Sequence, residues 1–101
     1  MDLEITEIHN LPQDELKHRI ESKLKHYQDS YSMYISNYSS EWEGNTGYYT
    51  FFVLGTKMNA VIDIKPDKVV IESKLPLIAI MHKRKIEELL RNNIKEIIRG
   101  S

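Results

Sequence analysis

Cysteine is missing from the 101-residue chain, which removes disulfides, thiol nucleophiles and thiolate metal sites together. Net charge is nearly missing too. Fourteen Lys and Arg against 15 Asp and Glu leave −1, so no overall field draws the protein to nucleic acid or to an anionic membrane. No apolar run approaches the ~20 residues that span a bilayer. The opening MDLEITEIHN has neither the basic nor the apolar segment of a secretory signal, so a cytoplasmic protein is expected. The Asn37-Tyr38-Ser39 sequon then counts as chance. Glycine is scarce, at four residues, and no phosphate loop, Gly-x-Gly-x-x-Gly or Gly-x-Ser-x-Gly elbow is present.

What is there suits one domain over residues 1–101 with a single core. LEITEIH reads as a short half-buried strand, with Ile8 out of step and a bulge expected at its end. Pro12 fits the first turn of a helix whose Leu16, Ile20, Leu24 and Tyr27 form one stripe as far as about Gln28. From Ser32 the period drops to two, with Tyr34, Tyr38 and Trp42 on one side and Met33, Ile35 and Asn37 on the other. EGNTG is a turn, YYTFFVL a strand, and KMNAVIDIK the clearest alternation, with Met58, Ala60, Ile62 and Ile64 facing in. After PDK turns the chain, VVIESKL is the last strand, and Pro76 opens a second helix that ends before Gly100. The order β-α-β-β-β-β-α predicts an α+β fold, an antiparallel sheet with two helices packed on one face.

No catalytic residues, cofactor site or metal site emerge. His18 and His26 are two helical turns, roughly 12 Å, apart and cannot share a zinc. His9 lies at a strand end and His82 in a basic block. Glu41 and Glu43 share a strand face as many solvated acids do. A non-enzymatic protein is expected. The charge is uneven, with residues 1–44 at −5 and 45–101 at +4, which is compatible with head-to-tail association or with two halves neutralising each other in one fold.

Two features ask for a partner. If Tyr49, Phe51 and Val53 face the core, then Tyr48, Thr50 and Phe52 face away from the helices, either as cross-strand pairs or as a contact surface. The second feature is ESKLPLIAIMHKRK. Leu77, Ile78, Ala79, Ile80 and Met81 follow one another without a break, and at ~100° per residue they point all round a helix. The sheet can take only some of them. Tyr48, Phe52, Leu77, Ile78, Ile80 and Met81 are therefore the candidate binding residues. HKRK just beyond reads as a headgroup or nucleic-acid patch, or simply as a solvated helix start.

Glu41 to Leu90 resembles the polyhydroxyalkanoic acid system family, the polyhydroxyalkanoate granule region proteins. The likeness rests on Trp42 followed by an acid and a Gly turn, Leu54-Gly55, the alternating strand, Val69 to Glu72, and Leu75-Pro76 opening an apolar helix. It implies a small bacterial protein connected with storage-polymer granules and carries no catalytic residues with it. A binding or granule-surface module working through apolar and aromatic contacts is the expected function. The alternative is a helix-grip-like carrier enclosing an apolar ligand between long helix and sheet. Expected partners are a second copy of the chain and a hydrophobic polymer or apolar ligand, with no nucleic acid.

Overall fold

A computed structural model describes residues 3–30, 33, 35–53 and 55–100, with the side chains of Ile35, Val53 and Ile78 left out. The expectations for Tyr34 and Leu54 lie outside the described residues. The elements are β1 (Leu3–Ile8), α1 (Gln13–Ser30), β2 (Ile35–Glu43), β3 (Thr46–Val53), β4 (Thr56–Ile64), β5 (Lys68–Ser73), α2 (Leu77–Ile80) and α3 (Lys83–Arg99). The five strands form one sheet in the order β1-β5-β4-β3-β2, antiparallel throughout. The last four make a meander, and α1 carries the chain from the β1 edge to the β2 edge. The fold is the expected α+β arrangement, with one departure. The single helix expected from Pro76 onward is divided at Met81 and His82 into the one-turn α2 and the long α3.

The registers sort every strand residue onto one of two faces. Leu3 and Ile5, Ile71 and Val69, Ile62 and Ile64, and Tyr49 lie under the helices. Glu4, Thr6, Ile8, Val70, Val61, Tyr48 and Phe52 lie on the open face. β1 pairs with β5 without a bulge from Leu3 opposite Ser73 to Ile8 opposite Lys68, so the break in polarity at Glu7 and Ile8 has another cause. Glu7 points under α3, where Arg91 and Lys95 each lie 3.6 Å from its carboxylate, while Ile8 is 82% exposed. The bulge is in β2 instead, between Ser36 and Ser39, where Asn37 takes φ 52°. Asn accepts this left-handed conformation more readily than most residues. The extra residue restores Tyr38 and Trp42 to the covered face.

Two neighbouring apolar clusters fill the space between sheet and helices. The larger joins Leu16 and Ile20 of α1 to Tyr49, Ile62, Ile64 and Val69 of the sheet and to Ile94 and Ile97 of α3. The smaller is Leu3, Ile5 and Leu75, packed with Met58, Ile71, Ala79, Ile86 and Leu90. Each fully covered aliphatic side chain contributes about 1.5–3 kcal/mol.

Polar contacts fix the edges. His9 is buried. Its Nε2 donates to the Lys65 carbonyl at 2.8 Å, and its Nδ1 accepts from the Leu11 N–H at 3.1 Å, a pairing that assigns the tautomer. Arg19 reaches from α1 to the end of α3 and donates to the carbonyls of Ile97 and Ile98 at 3.2 and 2.8 Å. The Ile97 carbonyl also accepts the Gly100 N–H at 3.2 Å, and Arg19 adds a side-chain donor to the carbonyls of this last turn, which a helix leaves short of partners.

Candidate functional site

The corner at α2 is built by residues on either side of it. Leu75, 5% exposed, anchors the chain in the smaller cluster, and Pro76 holds an extended φ of −64° and ψ of 155°. Its carbonyl accepts the N–H groups of Ala79 and Ile80 at 2.9 and 3.2 Å, which closes a single helical turn. Met81 is still helical, but His82, at φ −109° and ψ 17°, is not, and there the axis is interrupted. The His82 carbonyl accepts from the Ile86 N–H at 3.0 Å and starts α3.

From this turn Ala79 packs against the smaller cluster of Leu3, Ile5 and Leu75, which Ile86 and Leu90 of α3 also cover. Leu77 and Met81 lie two before and two after Ala79, ~160° from it on either side and so close together on the outward ridge. They are 86% and 85% exposed, and Ile80 beside them is 41% exposed. The Ile78 side chain is outside the described residues. Among its described side chains the block is thus divided between the small Ala79, packed inward, and an outward apolar ridge.

The basic block continues this corner. His82, Lys83, Arg84 and Lys85 are all exposed, and the first turn of α3 holds no acid. Among the described residues the one ion pair made by the block is Lys83 to Glu87, a loose 3.9 Å.

Tyr48 and Phe52 stand elsewhere, on the open face of the sheet. Tyr48, 45% exposed, sits between Glu41 and Val61, and beyond Val61 comes Glu72 and then Glu4. Phe52 is half-buried beside Lys57. The five candidates whose side chains are described therefore form two surfaces on opposite sides of the sheet, one apolar and beside a basic block, the other aromatic in a cross-strand row that also holds Glu41, Glu72 and Glu4.

Tyr38, Trp42 and Tyr49 face inward and act on one another. Trp42 Nε1–H donates to the Tyr49 hydroxyl at 3.1 Å, the two rings meet edge to face at 5.9 Å, and Tyr38 is 5.9 Å from Tyr49 on its other side. Lys17 covers the indole at 4.9 Å. Burial pushes the Tyr49 and Tyr38 hydroxyls above the ordinary tyrosine value. The trio is a packed corner of the core.

Two open grooves mark the surface. One, of about 460 Å³, runs beside α1 and the end of α3, lined by His18, Arg19, Ser22, Lys23, His26, Ile97 and Gly100. The pattern His18, Ser22, His26, at every fourth residue, was visible in the sequence as one face of a helix. The other, of about 340 Å³, lies on the open sheet face among Thr46, Val61, Asp63, Lys65, Val70 and Glu72. Neither lies between α3 and the sheet. Between α3 and the sheet, Ile62, Ile64, Val69, Ile94 and Ile97 pack together, none more than 7% exposed.

No helix among the described residues is long and apolar enough to cross a membrane. The model of a protein family described as "Putative polyhydroxyalkanoic acid system protein" matches residues 3–98, nearly the whole chain. No curated protein and no solved structure matches it.

Proposed function

The chain belongs to the polyhydroxyalkanoic acid system family, and from that premise we propose that it is a non-enzymatic cytoplasmic surface module that docks on hydrophobic storage polymer through the α2 corner. The observation that carries this reading is the outward ridge of Leu77 and Met81 with Ile80 on its flank. A chain of this size gains stability by burying such side chains, yet Pro76 and the break at His82 hold them away from the core. Covering the three residues would gain roughly 5 kcal/mol before the losses of association are subtracted. One copy alone then binds weakly, in a range nearer mM than μM. Useful retention needs many copies on one particle or a second attractive term.

Self-association belongs to the same proposal, because copies that touch one another on a particle share the binding. Light scattering on the free protein tests this part, with a strict monomer at high concentration counting against it. The open sheet face is the weaker docking surface. Glu41 lies directly beside Tyr48 and Glu72 beyond Val61 in the same row, and their desolvation against an apolar solid is costly.

Sedimentation with polyhydroxyalkanoate particles tests the docking itself. Leu77→Asp with Met81→Asp should leave the protein folded and in the supernatant, whereas Tyr48→Ser should sediment as the parent does. Equal sedimentation of the parent and the Leu77/Met81 variant would remove the proposal.

A further inference from the structure

The apolar ridge does not stand alone, and its neighbours define the kind of surface it meets. Lys83, Arg84 and Lys85 follow it directly, and His82 joins the two. These three cations occupy the first turn of α3, where the partial positive charge of the helix dipole disfavours them and where Asp or Glu is the stabilising choice. No acid stands in that turn, and His82 makes no side-chain capping bond. Within the described residues Arg84 and Lys85 have no ion pair, and the contact of Lys83 with Glu87 is long and half-exposed. Glu87 and Glu88, one turn further on, are the acids of the same helix nearest to the block. Local stability thus argues against the basic block, while its position beside exposed Leu77, Ile80 and Met81 matches a surface that is apolar inside and negatively charged outside.

Resting on the docking role of the α2 corner, we propose that this corner binds an anionic phospholipid surface, with Leu77, Ile80 and Met81 entering the acyl boundary and Lys83, Arg84 and Lys85 lying at the phosphate level. An interface of this kind takes up apolar side chains to a depth of ~5–10 Å, about one helical turn laid on its side. Each Lys or Arg held near such a surface strengthens binding about fivefold, and the term fades beyond a Debye length of ~8 Å at physiological salt. Three cations together are then worth on the order of a hundredfold. The net charge of −1 does not oppose this, because the carboxylates of Glu4, Glu41 and Glu72 lie on the opposite, open face of the sheet.

The test uses vesicles of phosphatidylcholine with and without phosphatidylglycerol, alongside bare polyhydroxyalkanoate particles. The triple variant Lys83→Glu, Arg84→Glu, Lys85→Glu is the key reagent, because reversing these charges suits the helix dipole and should hold or raise the melting temperature. The parent should bind phosphatidylglycerol vesicles roughly a hundredfold more tightly than phosphatidylcholine vesicles, with the preference lost in the triple variant and at high salt. A parent that binds both vesicle types equally, or a triple variant that binds like the parent, overturns the inference. Binding to bare particles but to no vesicle also overturns it and leaves the polymer-docking role standing. Binding to neither overturns both. If the charge reversals dissociate an oligomer in light scattering while vesicles go unbound, the cations serve contacts between copies and the lipid inference fails.

Discussion

Replacing Gly47 by alanine should destabilise the protein, for a reason visible only in three dimensions. Gly47 is buried opposite Trp42, and a β-carbon built there would lie 2.7, 2.7 and 2.9 Å from Cε2, Cζ2 and Cη2 of the indole. Ordinary van der Waals contacts of a β-carbon begin near 3.4 Å, so the ring must move by several tenths of an ångström. It is poorly free to do so. Its Nε1–H is held by the Tyr49 hydroxyl at 3.1 Å, its edge rests on the Tyr49 ring, and Lys17 covers it. Overpacking costs about 1–3 kcal/mol, and the entropy that alanine removes from the unfolded chain returns about 0.4–1. A net loss of about 1–2 kcal/mol remains, or a melting point lower by roughly 5–10 °C for a chain of this length. In a Trp42→Phe background, where the far ring of the indole is gone, the same Gly47→Ala change should cost far less. Thermal melts of the four proteins in the cycle measure this coupling. If Gly47→Ala is neutral or stabilising with Trp42 present, or costs the same in the Trp42→Phe background, the indole does not rest on Gly47 as described.

The remaining expectations concern caps, the collar and alkaline pH. His9→Leu should cost about 2–3 kcal/mol by urea unfolding, since the Lys65 carbonyl and the Leu11 N–H both lose their partner in a buried place. Arg19→Met should speed hydrogen exchange in the last turn of α3 more than anywhere else, because the Ile98 carbonyl loses its side-chain donor and Ile97 keeps only the Gly100 N–H. Ala79→Asp should unfold the protein by placing an unpaired charge against the cluster of Leu3, Ile5 and Leu75, while Leu77→Asp leaves the melt unchanged. For Tyr49 the folded hydroxyl, raised chiefly by burial, stays protonated where the unfolded one ionises. Its contribution is complete below the ordinary value of 10.0 and lost as pH rises beyond it, so the urea midpoint should fall more steeply above that pH in the parent than in Tyr49→Phe.

The sheet was readable because period two survives wherever one face is buried. Met58, Ala60, Ile62 and Ile64 point inward as their alternation requires, and the Leu16, Ile20, Leu24 stripe meets them from α1. Reading failed where a single long-range partner decides. Glu7 occupies an inward position that its type does not fit until Arg91 and Lys95, more than eighty residues later, are brought beside it. The bulge at Asn37 likewise has a local cause, a tolerated positive φ, that no alternation pattern reveals. In the collar, five consecutive apolar residues fitted either an all-round buried helix or a divided one, and it was the break at His82 that turned Leu77 and Met81 outward. The sequence offered a partner as one reading of the collar and of Tyr48, beside core packing for the first and cross-strand pairing for the second. It could not show that the two surfaces face opposite ways, since that follows from the packing of Ala79 against the Leu3, Ile5 and Leu75 cluster and from the strand register.

The claim at the centre of this account is that the α2 corner, and not the sheet, holds the protein on an apolar surface. The most direct measurement is the fraction sedimenting with polyhydroxyalkanoate particles for the parent and for Leu77→Asp with Met81→Asp, both verified as folded by their melting curves. The account predicts that the parent sediments in a saturable manner and that the folded variant stays in solution. A folded variant that sediments as fully as the parent would contradict it.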